Sequence, residues 1–112
     1  MFRVNVLFGN PQNPDEFERY YSEKHVPLAM KIPNLRGLTA GQAVALTPGE
    51  RAPYYRVASL YFDDQQAAQR ALASPEGQAT TSDLSNFASG GVTVFADEEQ
   101  VAIPVNLPAT LR

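Results

Sequence analysis

The sequence predicts an α+β domain of order β-α-β-β-α-β, with two helices laid on one face of a four-stranded antiparallel sheet. Three observations predict it. Residues Phe2 to Phe8 alternate strictly, with Phe2, Val4, Val6 and Phe8 on one side and Arg3, Asn5 and Leu7 on the other. The stretch that opens at Asn13-Pro14 carries helical start signals and an apolar stripe at helical spacing. The run YYRVASLYF, Tyr54 to Phe62, is dense in aromatic and β-branched residues and leads into an alanine-rich segment of helical period.

In chain order, the first strand ends at Gly9-Asn10-Pro11 and a short connection leads into the first helix. Asn13 is its expected cap, Pro14 suits its first turn, and Asp15 and Glu16 place negative charge at its positive end. At about 100° per residue, Phe17, Tyr21, Lys24, His25, Leu28 and Ile32 share one face if the helix continues straight. Pro27 has no N–H and its ring crowds the carbonyl of Glu23, so the helix is expected to kink or restart beside His25. Pro33 biases Ile32 out of helical geometry and ends the segment.

The apolar stretch Leu35 to Leu46 reads as a second strand, with Gly37 and Gly41 as signs of a bend or close contact. Thr47 to Pro53 holds two prolines and a glycine and reads as a surface loop before the third strand at Tyr54–Phe62. Asp63 or Asp64 is expected to cap the next helix, whose stripe of Ala67, Ala68, Ala71 and Leu72 lets it approach the sheet closely. Ser74-Pro75-Glu76 restarts a turn or helix toward Leu84 to Phe87. Beyond Gly90-Gly91, Thr93 and Phe95 oppose Val92, Val94 and Ala96 in a last strand, with an acidic turn or bulge expected near Asp97 to Gln100. Residues 1–103 form one expected domain and 104–112 an irregular tail with Pro104 and Pro108.

Composition narrows the function classes. A chain of 112 residues, 44% hydrophobic, is the size of one domain. Nine basic and twelve acidic residues give a net charge of −3 without blocks of like charge, so nucleic acid is not an expected partner. The absence of cysteine excludes thiol nucleophiles, disulfides and thiolate-bound metal. A single histidine excludes a three-histidine metal site within one subunit, so no metal is expected. Neither G-x-x-x-x-G-K, G-x-G-x-x-G nor G-x-S-x-G occurs, and no cofactor is implied. No leader pattern and no apolar run of about 18 residues is present, so a cytoplasmic protein without membrane contact is expected.

The run F-x-x-Y-Y-x-x-x-H-x-P-L-A, here Phe17, Tyr20, Tyr21, His25, Pro27, Leu28 and Ala29, followed by KIPNLR at Lys31 to Arg36, resembles the EthD family, named for a protein of ether degradation. A looser likeness covers about the first hundred residues and includes SDLSNF around Asp83 to Phe87. The resemblance implies a ferredoxin-like sandwich that pairs with a second copy into a dimeric α/β-barrel. The strands themselves agree, since they carry apolar or aromatic residues on both faces and the uncovered face needs a partner.

His25, the sole imidazole, is the candidate acid or base, because a partly buried ring beside loosened backbone can donate or accept a proton near neutral pH. A lone histidine on an apolar stripe is otherwise a hydrogen-bonded packing residue. Tyr21, preferred over Tyr20 because adjacent helical residues diverge by about 100°, joins Lys24, Leu28, Asn5 and Tyr61 as candidate ligand-binding residues, with Arg56 and Ser59 as further strand positions able to line a pocket. Two functions stand. One, suggested by the family resemblance, is a cofactor-independent enzyme that moves protons on a small, largely apolar cyclic or aromatic compound in dehydration, cyclisation or isomerisation. The other is a non-catalytic homodimeric protein that binds such a ligand or serves as an accessory.

Overall fold

The computed structural model describes residues 1–105. Strand β1 spans Phe2–Phe8 and helix α1 Pro14–Tyr20; a π-helical turn at Tyr21–His25 continues into the short helix α2 at Val26–Ala29. Strands β2 and β3 span Gly37–Gln42 and Arg56–Phe62. Helices α3 at Gln65–Ala73 and α4 at Pro75–Asp83, with a 3-10 turn at Leu84–Asn86, precede strand β4 at Val92–Glu98. The sheet order is β2-β3-β1-β4, antiparallel at every junction. This is the ferredoxin-like α+β fold.

The register fixes which residues share a face, because directly opposed antiparallel residues point the same way. Val4 pairs with Leu60 and Ala96, Val6 with Ala58 and Val94, and Phe8 with Arg56 and Val92. These residues lie under the helices, where Val4, Leu60 and Phe62 pack against Ala29, Ile32, Ala67, Ala68 and Ala71. The second half of the core is aromatic: Phe8 meets Phe17 and Tyr21 edge to face at 5.3 and 5.8 Å. Arg3, Asn5, Leu7, Val57, Ser59, Tyr61, Phe95 and Asp97 take the opposite parity and form the open face.

The caps follow the expected chemistry. Asn13 Oδ1 accepts from the Glu16 amide at 3.2 Å, Asp64 Oδ1 from Ala67 at 2.8 Å, and Ser74 Oγ from Gly77 at 3.0 Å. Gly77 is required by a close approach between helices: a Cβ there would lie 2.6 Å from Leu72 Cα. The expected second strand is shorter than its apolar run. Val44 and Leu46 are exposed and belong to the loop, because the chain diverges toward the proline-bearing turn once Ala43 has bonded to Tyr55. Of the acidic turn or bulge expected near Asp97 to Gln100, Asp97 and Glu98 are instead regular strand, because Arg3 opposes Asp97 and grips its carboxylate with two hydrogen bonds, 3.0 and 2.6 Å, while Glu99 and Gln100 lie beyond the strand end.

Of the expected tail, residues 106–112, including Leu107, Pro108 and Leu111, lie outside the described residues. No helix among the described residues is long and apolar enough to cross a membrane.

Candidate functional site

The first helix does not run straight past His25. The Val26 amide bonds to the carbonyl of Tyr21, five residues back, and Pro27 then offers no amide at all. The wider turn rotates the sequence against its expected phase, so the buried stripe becomes Phe17, Tyr21, His25, Ala29 and Ile32, spaced by four and finally three residues. Lys24 falls on the exposed side and Leu28 is only half-buried. The kink expected from Pro27 is thus a π-turn, and its effect is to press His25 inward, where it is 7% exposed.

Inside, His25 meets the end of α4. Its Nδ1 lies 2.9 Å from Oδ2 of Asp83, which is also buried. The other oxygen of Asp83 accepts from the Tyr20 hydroxyl at 2.6 Å and from Asn86 Nδ2 at 2.9 Å. Burial pushes the Asp83 carboxyl up, but the hydrogen bonds from Tyr20, Asn86 and His25 together outweigh it and hold the group below its ordinary range. A carboxylate is an acceptor only, so Nδ1 carries the proton and donates. The neutral form of the ring would then present Nε2 as a lone pair, and Nε2 makes no hydrogen bond among the described residues.

His25 lines a cavity of about 100 Å3 between helices and sheet, with walls that include Val6, Ala58, Leu60, Leu72 and Val94. Four polar side chains reach it: His25, Tyr21, Thr80 and Thr81. Burial raises the Tyr21 phenol above its ordinary range, so it remains protonated near neutral pH. Phe87 closes the other side of the imidazole, 4.7 Å from it by ring centroids, and stacks on Tyr20 at 5.1 Å. Beyond Phe87 and Tyr20 lies an outer groove of about 430 Å3 that includes Lys24, Glu23 and Arg19.

Of the sequence candidates, Tyr21 and His25 come together at the cavity. Lys24 belongs to the outer groove, and Leu28 is not among the cavity walls. Asn5 and Tyr61 do not reach the cavity, because their strand parity puts them on the open face. There Asn5 donates to Asp97 at 3.1 Å and accepts from Ser59 at 2.8 Å. Arg56 does lie on the helix side, but it is spent on Glu18 and on the face of the Tyr21 ring, 4.8 Å from its centroid. The residues that sequence reasoning missed are Asp83, Tyr20, Asn86 and Phe87. Three of these four fall within SDLSNF, the segment of looser resemblance, and that was the signal available for them.

The EthD domain pattern matches residues 10–91. An uncharacterised 11.0 kDa protein in the thcB-thcC intergenic region of Rhodococcus erythropolis is 41% identical over 104 residues, covering 93% of this chain and all of that protein. A crystal structure of an ethyl tert-butyl ether degradation family protein from Bacillus halodurans superposes with a TM-score of 0.83 at 30% identity, covering 89% of this chain and 99% of the other. A dimeric ferredoxin-like protein from Thermobifida fusca shares the fold, with a TM-score of 0.62 at 18% identity over 86% of this chain and 88% of its own.

Proposed function

This chain belongs to the EthD family, and from that premise we propose that it takes a small, largely apolar cyclic or aromatic compound into the cavity beside His25 and moves a proton on it. The observation that carries the reading is the buried contact between His25 Nδ1 and Asp83 Oδ2 at 2.9 Å. It holds the ring and leaves Nε2 as the candidate base beside a largely apolar cavity that Tyr21, Thr80 and Thr81 also line. A packing histidine needs no anion held ready by two further donors, Tyr20 and Asn86. The chemistry that fits is abstraction and return of a proton, as in dehydration, cyclisation or isomerisation.

The working unit in this reading is a homodimer. The open face of the sheet exposes Phe95 and Val57 around the Arg3, Asp97, Asn5 and Ser59 network, an apolar surface with a polar centre suited to a second copy. The Thermobifida fusca relative is described as dimeric, which supports the same assembly.

The cavity is smaller than the roughly 300–1,000 Å3 of ordinary ligand pockets. That favours a second reading, in which a small compound is sequestered without chemistry. One experiment separates the two. The sole histidine gives a single imidazole signal in a magnetic resonance spectrum, so a panel of small cyclic compounds is titrated in deuterated water while that signal is followed. Proton transfer predicts a shifted signal together with deuterium entering an activated C–H of the bound compound, lost in His25→Gln. Binding without exchange supports sequestration. If no compound moves the His25 signal, neither reading survives.

A further inference from the structure

The hydrogen-bonding groups of the cavity are almost all acceptors, and this restricts what can enter. Thr80 spends its hydroxyl proton on the Glu76 carbonyl at 2.9 Å and Thr81 on that of Gly77 at 3.0 Å. Tyr20 and Asn86 are committed to Asp83, and His25 gives its Nδ1 proton to the same carboxylate. What remains at the cavity is the Nε2 lone pair, the two threonine oxygens, and one donor, the Tyr21 hydroxyl, which makes no hydrogen bond among the described residues. Among the described residues, no lysine, arginine, aspartate or glutamate lines the space.

A ligand that fills the cavity strips water from Nε2, so the ligand that fits must bring a donor in its place. An anionic ligand finds no cation there and adds a second negative charge near Asp83. A cationic ligand must be desolvated against aliphatic walls, while Asp83 is already bonded to three donors. A ketone or ether accepts but cannot donate, and leaves Nε2 unpaired. A hydroxyl donates to Nε2 and can still accept from Tyr21. Size sets a second limit, since an apolar cavity of about 150 Å3 holds benzene and this one measures about 100 Å3.

We propose that the ligand class of this site is a neutral, compact, largely apolar alcohol, of about the size of one small ring, whose O–H is donated to Nε2 of His25. The proposal rests on the reading of the cavity as the ligand site and adds to it the functional group.

Three probes of nearly equal size test it: cyclopentanol, cyclopentanone and cyclobutanecarboxylate, titrated near neutral pH into the 15N-labelled full chain. Imidazole nitrogen shifts and the amide signals of Thr80, Thr81 and Leu84 report occupancy. The expected result is that cyclopentanol binds about tenfold more tightly than the ketone, as one satisfied hydrogen bond allows, moves the Nε2 resonance, and outcompetes the anion. If the ketone binds as well as the alcohol, or the carboxylate binds best, the alcohol class is overturned while the cavity remains a ligand site. If none of the three perturbs these signals at millimolar concentration, the ligand-site reading falls and the proposal with it.

Discussion

His25 and Asp83 are 58 residues apart in sequence and 2.9 Å apart through Nδ1 and Oδ2. The contact ties the π-turn at the end of α1 to the last residue of α4 across the top of the core. It fixes the ring of a histidine that the sequence places on an apolar stripe.

The first prediction concerns Asp83. Replacement by Ala strands three donors, those of Tyr20, Asn86 and His25, in a buried setting. Loss of such a charged hub costs about 3 kcal/mol, to be read as a lowered urea midpoint with unchanged slope. Loss of less than about 1 kcal/mol would mean that the network is solvated and not a structural hub.

The same carboxyl predicts an acid limit. Its folded form binds protons less readily than the ordinary value of 3.8, so the unfolded chain takes up a proton first as pH falls. The stabilisation is complete above about pH 4, consistent with an unfolded aspartate near 3.9, and is lost as pH drops through the depressed folded value. Asp97, lowered chiefly by its hydrogen bonds from Arg3, adds to the same trend. In Asp83→Asn the slope of stability against pH between pH 4 and 2, roughly the range over which a depressed aspartate titrates, is expected to flatten. An unchanged slope would assign the acid limit to other carboxyls.

Gly77 tests the packing of the helices. An exposed Gly→Ala change within a helix normally stabilises by about 1 kcal/mol. Here the added Cβ would strike the backbone of α3 at Leu72 and Ala71, which cannot swing aside. Gly77→Ala is expected to destabilise by about 1–3 kcal/mol, measured by thermal melting, with a stabilised variant disproving the close approach.

How far the sequence could foretell these features depended on the range of the forces involved. Alternation in Phe2–Phe8, the cap at Asn13, a cap at Asp63 or Asp64 and the restart at Ser74-Pro75-Glu76 rest on signals within a few residues and were legible. The π-turn was not. Pro27 signals a break but not its sense, and one extra residue in the turn moved Lys24 and Leu28 away from the cavity. Asn5 and Tyr61 had a readable parity, but which face of the sheet meets the helices is decided by tertiary packing. Asp83 was hidden for a different reason. It ends a helix rich in Ser, Thr and Gln whose weak amphipathicity marks no inward face, and its partner is far along the chain.

The proposed dimer makes a prediction at Phe95, which is 49% exposed on the open face of β4. Phe95→Lys places a charge where the proposed second copy would sit, without touching the core under the helices. The expected result is a monomer in light scattering with its circular dichroism retained. A variant that keeps the wild-type mass, or a wild-type protein that is itself monomeric at micromolar concentration, removes the sheet-to-sheet assembly.

The last prediction separates proton transfer from packing at His25. Gln can keep a hydrogen bond to Asp83 but cannot titrate, whereas Phe fills similar space with neither property. If the ring serves chemistry, both variants fold and both lose turnover of the compound found by the deuterium-exchange screen, because Nε2 is gone from each. Their stabilities still differ. Phe leaves Asp83 Oδ2 without its donor in a buried position and costs about 1–3 kcal/mol, while Gln costs less. If the ring only packs, Gln is tolerated in both assays and Phe reports the stranded carboxylate alone. Full activity in His25→Gln would therefore end the acid/base assignment while leaving the fold and the His25–Asp83 contact as they stand, since neither depends on a proton leaving the ring.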